Sequence, residues 1–225
     1  SSLTDAFEQI GTAYEQAHPG VDVLFNFGSS STLAAQLIEG AAADIYASAN
    51  PAQMQNVLAA ALIAEQPQLF ATNRLTIIVP ADNPASLHSP QDLAHADIAL
   101  VLAAPGVPIR EYSDQAIAML GGADFQAAVY ANLVSEEENV RVVVTKVSLG
   151  EADAGIVYTS DLTPEVSAKI QQIEIPDAAN VIAAYPIAPL ADAPSPELAA
   201  DFIAFVLSAE GQRVLSQWGF GPQPE

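Results

Sequence analysis

Val21-Asp22-Val23-Leu24-Phe25-Asn26-Phe27-Gly28-Ser29-Ser30-Ser31-Thr32-Leu33-Ala34-Ala35-Gln36-Leu37-Ile38-Glu39-Gly40 is the stretch whose reading decides the fold. Its first seven residues alternate apolar and polar and are rich in β-branched and aromatic side chains, which predicts a strand running into Gly28. The run Ser29-Ser30-Ser31-Thr32 leads directly into a helix over Leu33–Glu39, closed by Gly40. Upstream, Leu3, Phe7, Ile10 and Tyr14 fall at i, i+4, i+7 and i+11, the spacing of an amphipathic helix capped by Ser2 or Thr4. Downstream the unit recurs. A short strand is predicted at Ala43–Ala47, and a helix from Pro51 through Met54, Val57 and Leu58. Strands at Leu75–Val79 and Ile98–Val101 follow, with a helix signal at Pro90–Leu93 between them. Strands alternating with helices at this spacing predict an α/β architecture with largely parallel sheets.

Further along, the pattern predicts helices over Ile109–Leu120 and Val140–Leu149 and strands over Ala154–Tyr158 and Ile170–Ile175. An extended segment over Val181–Ile187 and helices over Pro196–Leu207 and Glu210–Trp218 follow. No internal repeat, low-complexity tract or Gly/Ser linker interrupts the chain. Any division into domains is therefore discontinuous.

Composition narrows the function classes. Among 225 residues there are 27 Asp and Glu against 6 Lys and Arg, a formal net charge of −21. The six basic residues, Arg74, Arg110, Arg141, Lys146, Lys169 and Arg213, are scattered, so no basic patch for a phosphate backbone can form locally and nucleic acid is excluded as a partner. A 51% hydrophobic fraction with 15% charged residues supplies a core and separates the chain from disordered acidic tails. No stretch approaches the roughly 18 continuous apolar residues of a membrane span. The absence of cysteine removes disulfides, thiolate metal sites and Cys nucleophiles together.

The chemistry-bearing features are few. Helix starts offer unpaired N–H groups and a partial positive charge. Three such starts stand out: Ser2, the Ser29-Ser30-Ser31 run, and the loop Ala104–Arg110. A single serine there is normally an N-cap, but three in succession exceed what a cap needs. His18, His88 and His95 lack metal-ligand spacing, so no metal is assigned. The acidic run Glu136-Glu137-Glu138 precedes a predicted helix, where acids complement the dipole. Neither a Gly-x-Ser-x-Gly elbow nor a phosphate-binding Gly-rich loop with Lys is present. Tyr158 ends an apolar strand, a place more typical of a core tyrosine than of a ligand contact. Arg110 is one of few cations and sits at a predicted helix start, where it either neutralises an anion or pairs with an acid.

Several motifs, in order, resemble the periplasmic molybdate-binding proteins of ABC transporters. They are Ser2-Leu3-Thr4, Phe27–Gln36, Gly40–Ala49, Asn73-Arg74-Leu75, Val107-Pro108, Glu138-Asn139-Val140-Arg141, Gly150–Tyr158 with Ser160-Asp161, and Tyr185-Pro186-Ile187-Ala188. The resemblance implies a two-lobed periplasmic-binding-protein-like fold with a ligand cleft between lobes. Lobe one would be about residues 1–79 with 185–225, and lobe two about 80–184. It further implies a receptor, not an enzyme, without cofactor, that captures molybdate or tungstate with neutral donors. Carried over residue by residue, those donors fall on Ser2, Ser30, Ile109, Val140 and Tyr158, the amides serving at Ile109 and Val140, with Arg110 a possible addition. The implied partner is a membrane ABC permease, and the implied protein is a monomer, periplasmic or extracellular, exported by a signal absent from these residues.

Two departures from the family pattern stand out. Relatives carry a short apolar strand before Ser-Leu-Thr, whereas this sequence starts at Ser1. Many relatives have Val-Pro-Ala-Gly where this chain has Val107-Pro108-Ile109-Arg110, which bears on pocket size. The rival expectations are a receptor for another oxyanion, such as sulfate or phosphate, with Arg110 supplying charge, and a sensor or enzyme on the same scaffold.

Overall fold

The computed structural model describes residues 1–223. Its elements, in chain order, begin with α1 (Thr4–Ala17), α2 (Ser30–Ile38), β1 (Ile45–Ala47), α3 (Pro51–Ala59), β2 (Gln68–Asn73) and β3 (Leu75–Pro80). Then come β4 (Leu100–Ala103), α4 (Pro108–Ala131), β5 (Leu133–Glu137), α5 (Val140–Ser148), β6 (Ala154–Tyr158), α6 (Pro164–Ser167) and β7 (Ile170–Glu174). The chain closes with β8 (Ala183–Pro189), α7 (Pro196–Leu207) and α8 (Ala209–Gln217). The expected 90–93 helix is a short 3-10 turn, Pro90–Ala94.

Two compact units result: residues 1–73 with the chain from 184 onward, and residues 74–183. The expected first boundary, 79/80, moves to 73/74 because β3 pairs with β6 and β7 of the second unit. The second boundary falls at 183/184 rather than 184/185.

In the second unit a five-stranded sheet has the order β5-β4-β6-β3-β7. β4 runs parallel to β5 and β6, while β3 runs antiparallel to β6 and β7. Four of the five strands therefore point the same way and β3 alone is reversed. β3 is buried along its whole length, as a continuous apolar run between two neighbours requires. Helix α5 packs Val143 and Val147 onto this sheet at Gly155, where a Cβ would lie 2.7 Å from Val143 Cγ1. Only glycine allows so close an approach. Helix α4 extends past its expected end at 120 and is broken at Gly122, whose φ of 73° no other residue adopts without strain.

In the first unit, β1, β8 and β2 form a three-stranded sheet, with β1 antiparallel to β8. Phe7 of α1 meets Phe25, Phe70 and Phe202 edge-on, and Tyr14 meets Phe202 and Phe205 likewise. Such pairs add about 0.5–1.5 kcal/mol each beyond area burial. The start of α1 differs from expectation: Leu3 holds the N-cap position without a side-chain bond, and the Thr4 hydroxyl donates to Ser1 O.

The segment 21–27 does not form the predicted strand. It is extended and its side chains alternate in burial as the sequence suggests, but no described residue pairs with it in a ladder. A strand is defined by its partner, and alternation alone cannot supply one. Val23 instead gives its amide to Glu15 Oε1 at 2.8 Å. This segment and β1 both line a cavity of about 520 Å³, together with Phe7, Tyr46 and Phe202.

Two strands escaped the sequence reading, β2 and β5. The acidic run lies partly on β5, so Glu136 and Glu137 are strand residues rather than helix-dipole partners.

Candidate functional site: hydroxyls and helix starts

In the first unit, the serine run divides its labour. Ser29 is the N-cap of α2 and its Oγ accepts from Thr32 N–H at 3.2 Å. That leaves Ser30, the first helical residue, outside the capping bond. Its side chain is nine-tenths buried, and the Ala49 amide donates to its Oγ at 2.9 Å. The Tyr46 hydroxyl donates to Ser30 O at 2.8 Å, and burial pushes that phenol up to about 12, keeping it a protonated donor. Ser2 lies just ahead of α1, buried, with its Oγ 3.2 Å from the Tyr185 hydroxyl. Asn73 Nδ2 donates to the same Tyr185 oxygen at 3.3 Å. Ser2 and Ser30 line one cavity.

The second unit contributes two more helix starts and a strand end. Helix α4 has no side-chain cap; Pro108 carries no N–H, and Arg110 N–H is taken by Val107 O at 2.9 Å. The Ile109 amide is thus the donor that α4 presents, while the Ile109 side chain is buried in the core. At α5, Asn139 Oδ1 accepts from the amides of Arg141 and Val142 at 3.0 and 3.3 Å. Its capping bonds pass over Val140, the first residue of the helix. Among the described residues nothing accepts the Ile109 or Val140 amide hydrogen. Tyr158 closes β6 and is fully buried, its amide held by Asp161 Oδ2 at 3.0 Å.

Arg110 is engaged on several sides. Its Nε donates to Asp114 Oδ1 at 2.7 Å, and its Nη1 donates to Glu136 Oε1 at 2.6 Å and to Ala103 O at 3.0 Å. The guanidinium carbon lies 5.5 Å from the centre of the Tyr130 ring. Burial alone would lower its pKa, but the bonds to Glu136 and Asp114 hold it above the usual arginine value. Most other cations are likewise paired: Lys146 with Glu137, Lys169 with Glu165 and Arg74 with Asp177. The described residues contain no cluster of His, Asp or Glu suited to a metal ion. The candidate residues of each unit therefore offer hydroxyls and backbone amides, groups able to donate to an anion without carrying charge.

A family model for bacterial extracellular solute-binding proteins matches residues 1–221. The chain belongs to that family. Among individual solute-binding proteins, it is 41% identical over 220 residues to the molybdate-binding protein ModA of Mycobacterium tuberculosis, covering 98% of this chain and 81% of that one. A periplasmic molybdate-binding protein of Azotobacter vinelandii has the same fold, with a TM-score of 0.85 at 18% identity, covering 100% of this chain and 96% of that one. The sulfate-binding protein SubI of Mycobacterium tuberculosis shares it too, at TM-score 0.86 and 18% identity over 96% of this chain and 82% of that one. Two-lobed α/β architecture is thus the fold of this solute-binding protein.

The sequence reading did not name the residues that orient these donors. Ala49, Tyr46 and Tyr185 lie inside quoted motifs, yet nothing local marks the Ala49 amide as the partner of Ser30. The Arg110–Asp114 bond was open to discovery from its i, i+4 spacing, which places both side chains on one helix face.

Proposed function

We propose that this protein is an extracytoplasmic receptor for molybdate or tungstate that hands its ligand to a membrane ABC permease. The observation that carries the reading is the 41% identity, over nearly the whole chain, to a molybdate-binding protein. The donor chemistry supports it. A tetrahedral dianion carries four acceptor oxygens and needs several donors at once. The hydroxyls of Ser2, Ser30 and Tyr158 and the amides of Ile109 and Val140 serve it in this reading. No covalent step, cofactor or resident metal is called for; the metal atom arrives inside the cargo. The protein works as a monomer outside the cytoplasmic membrane.

Thermal unfolding with molybdate, tungstate, sulfate or phosphate at about 1 mM tests the proposal, because a ligand bound only by the folded state stabilises by RT ln(1 + [L]/Kd). At a Kd of about 1 μM the gain is about 4 kcal/mol, a shift of many degrees for two units of this size. A rise with molybdate and tungstate alone supports the reading. A rise confined to sulfate or phosphate reassigns the ligand, and no rise with any of the four refutes it.

A further inference from the structure

We infer that Arg110 is a positioning residue that sets the separation between the Ile109 and Val140 amides, and so the oxyanion size the protein accepts, without itself touching the anion. The inference deepens the proposed function and rests on it. A cation in the first turn of a helix opposes the helix dipole, so its presence at α4 demands compensation. Asp114, one turn along, and Glu136, on β5, supply it. The Arg110 side chain is 11% exposed, and its Nε and Nη1 donate to two carboxylates and the Ala103 carbonyl, with the Tyr130 ring beside the guanidinium. An arginine ligating an anion through Nε or Nη1 would have to give up the bonds that hold them here, Nε to Asp114 and Nη1 to Glu136 and Ala103 O.

Its contacts explain what it does instead. Ala103 ends β4 and Arg110 sits in the first turn of α4, so the Nη1 bond to Ala103 O staples the base of the loop that delivers Ile109. Glu136 lies four residues before Val140 on the strand that delivers α5. The next residue, Glu137, accepts the Ala104 amide through its carbonyl at 2.7 Å and holds Lys146 of α5 through its side chain at 2.6 Å. Arg110 and Glu137 thereby tie the two donor-bearing helix starts to one pair of adjacent strand ends. The tie at Arg110 is a planar, multiply bonded one, the kind that fixes distance rather than merely adding attraction.

The test compares the wild-type chain with Arg110→Ala, Glu136→Gln and the double variant, measuring molybdate and sulfate affinities by calorimetry well below each variant's melting temperature. Melting curves without anion verify that each variant is folded. Under the proposal both single variants lose about tenfold in molybdate affinity, the molybdate-to-sulfate ratio falls in both, and the double variant is no worse than either single one. If Arg110 were an anion ligand, Glu136→Gln would strengthen binding by releasing it while Arg110→Ala abolished binding, and that opposite sign overturns the role. Lower melting temperatures with unchanged affinities and ratio also overturn it, reducing the cluster to a stability device. A wild-type chain that binds neither anion removes the receptor reading and this role together, whereas loss of the role alone leaves wild-type binding intact.

Discussion

The Ala49 amide donates to Ser30 Oγ at 2.9 Å, across 19 residues of chain. That bond fills an acceptor position of the hydroxyl and leaves its hydrogen to donate elsewhere. Replacing Ser30 with Ala removes that donor and leaves a buried amide unpaired. A hydrogen bond to a charged group contributes about 1.5–3 kcal/mol, so molybdate affinity should fall roughly ten- to a hundredfold. Calorimetric titration checks this, and an unchanged Kd would exclude Ser30 from the binding set.

Gly155 sets how closely α5 approaches the sheet. An added methyl would meet Val143 Cγ1 at 2.7 Å and Val101 O at 3.3 Å, the latter a backbone atom with little freedom to give way. Gly155→Ala should destabilise by about 1–3 kcal/mol, the usual cost of overpacking. Chemical denaturation measures it; a variant as stable as wild type would show that α5 shifts at no cost.

Acid should loosen the second unit through Glu137. Burial would raise its pKa, but hydrogen bonds from Lys146 and Ser135 carry it below the ordinary 4.5. A carboxylate depressed on folding contributes its stability at pH above its unfolded value and loses it as pH falls through the folded one. Wild-type stability should therefore drop below pH about 4.5. Glu137→Gln should be less stable at pH 7 by about 1–3 kcal/mol, having left Lys146 without a carboxylate in a half-buried place. Its stability should also vary less with pH in the acid range. Denaturation midpoints from pH 3 to pH 7, taken as about one-unit steps, decide it: parallel curves for the two proteins would contradict this account.

Local opening should be uneven. Among the described residues the amides of Leu24, Phe25, Asn26 and Phe27 have no ladder partner, whereas Ile77 and Ile78 lie in β3 between two strands and are fully buried. Deuterium uptake at 24–27 should precede that at 77–78 by several orders of magnitude in time, since one tracks local fluctuation and the other cooperative unfolding of the unit. Equal rates would mean that 21–27 is paired in solution.

Much of this architecture was legible because its signals are local. The helix starts at Pro51 and Val140, the β6 run Ala154–Tyr158 and the final two helices all follow from signals within a few residues. The segment 21–27 shows the limit of that logic, because alternation reports which side chains face inward and says nothing of whether a hydrogen-bonding neighbour is present. β5 was hidden for another reason: its Glu136 and Glu137 read as acids complementing the dipole of the following helix until Arg110 and Lys146, distant in sequence, are brought against them. The five proposed donor positions came from family resemblance to an ordered set of motifs. What holds them in place, from Ala49 at Ser30 to Asp161 at Tyr158, depends on contacts that composition and periodicity do not encode.

The pairing of Arg74, Arg110, Lys146 and Lys169 with carboxylates has a kinetic consequence. With a formal charge of −21 and four of its six arginine and lysine side chains so occupied, the protein meets an approaching dianion with long-range repulsion. Added salt shortens the screening length to about 8 Å at physiological strength, and with it the reach of that repulsion. Capture should then quicken as ionic strength rises, the reverse of electrostatically steered association. A receptor of this kind is suited to scavenging in saline surroundings, where the field it carries is muted and only the short-range donors decide what stays bound.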